Sequence, residues 1–150
     1  MIRRATADDA SQLLALMRKL AEFEGYSDRF AVTETDLIKR GLVAKDRAEF
    51  TAWVVDDSGV LLGYAVVYSV PFTFDLRPTV VLKELFIEEG VRGRRYGDEL
   101  FTAVLRYMQS INARLLRWQV LSSNESAKRF YRGHDGHCDT DWESWVLELD

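Results

Sequence analysis

Three groups of residues in this 150-residue chain have the types and spacing to do chemistry. The first is Val91-Arg92-Gly93-Arg94-Arg95-Tyr96-Gly97, a turn between an apolar run and a helix-like one. The first amides of a helix have no intrahelical partner, and the helix dipole favours an anion beside them. A strand that runs through a Gly- and Arg-containing turn into a helix is therefore a phosphate-binding layout. Gly93 and Gly97 let the backbone approach a ligand closely, and Arg92, Arg94 and Arg95 add positive charge. The segment fits neither the Walker pattern nor the dinucleotide fingerprint. It reads equally as a solvated basic loop entering a surface helix.

The second group is Asn124-Glu125-Ser126-Ala127-Lys128-Arg129-Phe130-Tyr131. Asn124 can cap a helix start. Tyr131 lies seven residues on, about two turns along the same side. A phenol there can donate a proton, having a pKa near 10, or can simply be a half-buried aromatic. The third group is acidic: Glu22, Glu24, Asp75, Glu84, Asp141 and Glu143. Glu84 stands out because it interrupts an apolar run, where a buried carboxylate is costly without work or a partner. Strand alternation puts Lys83 and Glu84 on opposite faces; charges on neighbouring elements could also pair with them. His134, His137 and Cys138 cluster near Asp135, Asp139 and Asp141, but their spacing matches no zinc pattern, and no metal is expected.

The elements that must position these groups follow from periodicity. Residues 2–5 suit a short strand. Thr6 caps a helix over 7–23, with Ala10, Leu13, Leu14, Met17, Leu20 and Ala21 as its apolar stripe and Gly25 as its end. Thr33 caps a second helix over 34–42. Residues 50–55 and 60–70 form a hairpin about Asp56-Asp57-Ser58-Gly59, bulged at Gly63. Thr79 to Ile87 is a third long strand, 98–110 a helix, 115–121 a strand, 124–132 a short helix, and Trp142 to Leu149 a last strand. The order β-α-α-β-β-β-α-β-α-β places one βαβ unit in an otherwise antiparallel sheet, an α/β (α+β) fold with a mixed sheet.

Composition sets the class. Hydrophobic residues make up 47% and charged residues 29%, as in a globular protein. The length predicts one domain over 1–150. The lone Cys138 fits a reducing compartment. No signal-like apolar region opens the chain. The longest apolar run, 60–70, is shorter than the about 20 residues of a membrane span. A cytoplasmic protein, off the membrane, is expected. The net charge of −4 argues against nucleic acid and suits a cationic partner.

Leu82-Lys-Glu-Leu-Phe-Ile87 followed by Val91-Arg-Gly-Arg-Arg-Tyr-Gly97 resembles the acetyl-CoA motif of the GNAT N-acetyltransferase superfamily. Asn124, Ala127 and Tyr131 resemble its second signature. Leu20-Ala-Glu-Phe-Glu24 and Val32-Thr-Glu-Thr-Asp-Leu37 are similar to the diamine (spermidine/spermine) acetyltransferase branch, so the likeness runs over about residues 2–147. The first glycine of the motif falls on Arg95. The glycine usual four residues after the tyrosine is replaced by Asp135. The first of the branch's two acids in the third long strand is replaced by Lys83.

The resemblance implies a GNAT-like sheet with helices on both faces, and acetyl-CoA as co-substrate. The amides of Arg92, Gly93, Arg94, Arg95, Tyr96 and Gly97 would hold its pyrophosphate, and the backbone of Leu85, Phe86 and Ile87 its thioester. Asn124 and Ala127 would lie along the pantetheine arm. Tyr131 would be the general acid and Glu84 a water-linked base. Glu22, Glu24, Asp75, Lys83 and Glu84 would meet a small primary amine, diamine-like or thialysine-like, and the enzyme would be a homodimer. The alternatives are a non-catalytic acyl-CoA-binding module and an acetyltransferase for a protein N-terminus.

Overall fold

Helix α1 (Ala10–Glu24) forms because its apolar residues recur at three- and four-residue steps. Leu13, Leu14, Leu16, Met17 and Leu20 are all buried, and each contributes about 2 kcal/mol through the surface it removes from water. Ahead of α1, the Asp9 carboxylate accepts from the Thr6 amide at 2.7 Å and from both Arg3 Nη atoms at 2.8 Å. Arg3 also reaches Asp56 at 2.8 Å. At its far end Gly25 adopts φ +82°. The amide of Tyr26 then bonds back to Ala21 O at 2.9 Å, a left-handed cap that glycine suits.

The computed structural model describes residues 1–43 and 46–150. After α1 come α2 (Glu34–Leu37), continued as a wider turn over Ile38–Leu42, then three strands. With β1 (Ile2–Arg4) at the start, these are β2 (Thr51–Asp57), β3 (Val60–Val70) and β4 (Thr79–Ile87). Helix α3 (Tyr96–Ser110), β5 (Leu115–Arg117) and α4 (Glu125–Arg132) complete the order. The chain divides into two compact units, Met1–Gln119 and Val120–Asp150.

The first unit holds one five-stranded sheet in the order β1-β2-β3-β4-β5. The first three ladders are antiparallel, and β4–β5 is parallel. The expected mixed, mostly antiparallel sheet is present. Val54, Tyr64, Val66 and Phe86 pack with α1 and Leu37 on one face. On the other, Trp53 meets Tyr107 of α3 edge-on at 5.3 Å between ring centres, with the Arg4 guanidinium 5.0 Å from the Trp53 ring.

The ladders slip in two places. Between β2 and β3, Val55 pairs with Gly63 but Asp56 pairs with Leu61, so Leu62 is the extra residue, one place before the expected Gly63. Between β3 and β4, Val66 pairs with Glu84 but Val67 pairs with Leu82, so Lys83 is the extra residue. Paired residues share a face, and neighbours along β3 point to opposite faces. Leu82 and Glu84 therefore point to opposite sides of the sheet, and Glu84 joins the α1 side with Tyr64 and Phe86. Simple alternation through 82–84, as read from sequence, does not hold.

In the second unit α4 is present from Glu125, but the expected last strand over 142–149 does not form among the described residues. Trp142, Trp145, Val146, Leu147 and Leu149 are instead 75–89% exposed. Alternating composition supplies a strand's faces, but a strand also needs a backbone partner. The strand at 115–121 is likewise shorter, ending at Arg117.

Candidate active site

The parallel ladder between β4 and β5 stops at the Val81–Arg117 pair. Beyond it, the side of β4 that faces away from β3 has no strand partner from Leu82 to Ile87 among the described residues. Leu85, Phe86 and Ile87 lie on this open edge. Backbone polar groups left unpaired at an edge are ready to bond a ligand.

Past β4, a short turn over Glu89–Val91 leads to Arg92. The Arg92 side chain folds back, donating from Nε to Ile87 O at 3.0 Å, with its guanidinium 6.0 Å from the Phe23 and Phe86 rings. Gly93 has φ +84° and Arg95 φ +65°. Two left-handed residues so close together turn the chain into the head of α3, where Glu99 makes the first return bond, to Arg95 O at 3.0 Å. The amides of Gly93, Arg94, Arg95, Tyr96 and Gly97 donate to no acceptor among the described residues. The Arg95 side chain is 83% exposed, with Nε 3.6 Å from Asp98 Oδ2, so it does not fill the turn. That answers how an arginine can stand where the motif has glycine: the backbone still takes the left-handed conformation, at a strain of about 1 kcal/mol.

The acidic residues do not gather in one place. Glu84 is half-buried and accepts the Tyr64 hydroxyl on Oε2 at 2.8 Å. Burial pushes its carboxyl above the ordinary glutamate range; the Tyr64 hydrogen bond and the Lys83 charge oppose that rise, and Glu24 adds to it. The Tyr26 phenol is pushed up to about 12 by burial, then by Glu84 and Glu24. Glu24, Tyr26, Tyr64, Lys83 and Glu84 thus share one electrostatic neighbourhood. The left-handed Gly25 is what delivers Tyr26 there. Glu22 is two residues from Glu24, about 200° around α1, and is exposed. Asp75 is engaged elsewhere, accepting from the Arg77 amide at 3.1 Å and facing Arg114 at 3.4 Å. Lys83 is exposed and makes no ion pair among the described residues.

In the second unit Asn124 caps α4, its Oδ1 accepting from the Ala127 amide at 3.1 Å. Asn124, Ala127 and Tyr131 follow at three- and four-residue steps, so they share one side of α4, and all three are half-buried. Phe130 and Tyr131 meet edge-on at 5.2 Å. Glu143 accepts from Trp145 Nε1 at 3.0 Å. No group of three or more His, Cys, Asp or Glu among the described residues could hold a metal ion, and no helix there is long and apolar enough to cross a membrane.

Tyr64 and Tyr26 are not legible as site residues in the sequence. Tyr64 sits in the apolar run 60–70, and only the register with Glu84 reveals its part. Tyr26 follows a helix stop, where an aromatic carries no distinctive signal.

The chain is similar to known proteins over most of its length. The model of the Acetyltransferase (GNAT) family matches residues 10–135. The thialysine N-epsilon-acetyltransferase of Bos taurus is 26% identical over 97% of this chain and 88% of its own length. A crystal structure of an aminoglycoside acetyltransferase from an uncultured soil metagenomic sample, in complex with sisomicin, superposes with a TM-score of 0.83 at 15% identity, covering 100% of this chain and 96% of that one. An aminoglycoside N-acetyltransferase in complex with CoA gives 0.71 at 16% identity, with 100% of both chains covered.

Proposed function

The chain belongs to the GNAT acetyltransferase family, and from that premise we propose that it moves an acetyl group from acetyl-CoA to a primary amine of a small cationic substrate. The observation that carries this reading is the run of unpartnered amides from Gly93 to Gly97 at the head of α3, next to the open edge of β4. Such amides suit the pyrophosphate of CoA, and the left-handed Gly93 leaves open space beside its Cα. When bound, acetyl-CoA supplies an activated thioester.

The residues divide the remaining work, with both substrates bound before transfer. Leu85, Phe86 and Ile87 align the thioester along β4. Alkyl ammonium groups are protonated at neutral pH, so the acceptor must lose a proton before its nitrogen can form a bond to the acyl carbon. Glu84 takes that proton through water, and its raised proton affinity suits a base working near neutrality. Tyr131 gives a proton to the sulfur as the C–S bond breaks. Glu24 draws the cation in. Asn124 and Ala127 line the pantetheine arm. One domain over 1–150, a homodimer and a cytoplasmic setting accompany this reading.

Lys83 favours one class of acceptor. A second positive charge on the amine would meet its ammonium beside Glu84, whereas an amino-acid-like amine of the thialysine type carries a carboxylate to balance it. The likeness to the bovine thialysine enzyme supports the same choice. The test is thiol release from acetyl-CoA with thialysine, spermidine, an aminoglycoside and an N-terminal alanine peptide, beside calorimetry of acetyl-CoA alone. Fast release with thialysine is expected. Binding with no release from any amine would instead favour a non-catalytic acyl-CoA module, and release with the peptide alone an N-terminal acetyltransferase.

A further inference from the structure

Tyr64 lies mid-strand in β3, fully buried. A buried phenol costs stability unless its hydroxyl has a partner, and the partner here is Glu84 Oε2 at 2.8 Å. No other hydrogen bond from the described residues reaches the Glu84 carboxylate. Every buried side-chain nitrogen and oxygen among those residues has a partner. Oε1 is therefore the oxygen that solvent reaches. The two oxygens have different work available: one is held inside the protein, the other faces outward with its lone pairs unused.

We propose that Tyr64 is a positioning residue for acyl transfer, its hydroxyl clamping one oxygen of Glu84 so that the other is aimed at the water that takes the amine's proton. The inference rests on the reading of Glu84 as that base. Tyr64 does not itself move the proton: burial, then the Glu84 charge and the shared hydrogen bond, hold its phenol far above the ordinary range, so it remains a donor at every working pH. Its second effect is on charge. Burial is the largest influence on Glu84 and favours the neutral acid; the Tyr64 bond is the first of those opposing it. The other groups facing Glu84 are Lys83 on β4, which favours the carboxylate, Glu24 at the end of α1, which opposes it, and Tyr26, a neutral phenol below about pH 12. Removing the hydroxyl takes away a donor to the ionised form, so proton affinity at Glu84 must rise.

The experiment is Tyr64→Phe, read first by carbon-13 titration of the Glu84 carboxyl in the whole protein without substrate. An increase of about tenfold in proton affinity is expected, one unit in the midpoint. Glu84→Gln removes the resonance and assigns it. Kinetically, Tyr64→Phe should lower kcat with thialysine about tenfold and move the acidic limb of the profile upward, with the KM for acetyl-CoA unchanged. An unmoved Glu84 midpoint overturns the proposal. So does an equal loss of rate at all pH values, which would mark a merely structural role. If Glu84→Gln keeps full turnover, the base reading fails and this inference with it. If Glu84→Gln is inactive while Tyr64→Phe keeps the wild-type profile, the base stands and the positioning role alone is lost.

Discussion

Leu82 and Glu84 are two residues apart in one strand, yet they point to opposite faces of the sheet, because the ladder skips Lys83. The slip puts a carboxylate on the α1 side, against Tyr64, at the edge of an apolar core. Deleting Lys83 would join Leu82 directly to Glu84, and plain alternation would still hold Glu84 on the α1 face, paired with Val66. The deletion should therefore keep the sheet by circular dichroism and retain turnover, with its acidic limb moved upward by loss of the Lys83 charge.

The pH dependence of turnover is set by the direction of the Glu84 shift. Burial raises its proton affinity above the ordinary 4.5. A base must be unprotonated to act, so activity should fall as pH drops through a value above that of a free glutamate. The acidic limb of kcat/KM should lie above the range of exposed glutamates and vanish in Glu84→Gln.

Lys83 tunes both charge and acceptor choice. Its positive charge favours the Glu84 carboxylate, so Lys83→Gln should move the acidic limb upward. It should also relieve repulsion of a second ammonium, worth about 1 kcal/mol for solvated charges about 4 Å apart, or roughly fivefold. The measurement is the ratio of kcat/KM for spermidine to that for thialysine, which should rise by about that factor.

At the turn, Arg95 and Gly93 both have positive φ, and their substitutions should differ in sign. Arg95→Gly relieves left-handed strain and should stabilise the fold by up to about 1 kcal/mol with acetyl-CoA binding retained. Gly93→Ala imposes the same strain and should cost about 1 kcal/mol while weakening acetyl-CoA binding. Chemical denaturation and calorimetry check the pair.

Gly63 is held by close packing. A Cβ built there would stand 2.6 Å from both Phe86 O and Ile87 Cδ1. Backbone on the far side cannot yield cheaply, so Gly63→Ala should cost about 1–3 kcal/mol and reduce turnover by displacing β4 at Phe86.

The Arg3–Asp9 pair links stability to acid. Hydrogen bonds from Arg3 hold the Asp9 carboxyl below the ordinary 3.8. A depressed carboxyl contributes stability that is present above its unfolded value and lost as pH falls through its folded one. Asp9→Asn should cost about 3 kcal/mol at pH 7, and its deficit relative to wild type should shrink below about pH 4, as followed by urea denaturation.

The elements carrying strong local signals are legible in the sequence. The apolar stripe of α1 needs only spacing, and the glycines and arginines of 91–97 mark the turn before any neighbour is known. What depends on register is hidden. The skipped Lys83, the Tyr64 hydroxyl on Glu84 and the removal of Asp75 to Arg114 arise from pairings between distant segments, and no window of sequence contains them. The failure of 142–149 to form a strand has the same origin: its pattern describes two faces but names no neighbour.

Trp142 and Trp145 stand largely in water, while Trp53 is sealed against α3. Trp118, half-buried and edge-on to Phe101, stands between these extremes. Emission from the carboxyl-terminal pair should be red-shifted and readily quenched by acrylamide even in the native state, so the blue, quencher-resistant fraction, led by Trp53, is the part that follows the melting of the sheet.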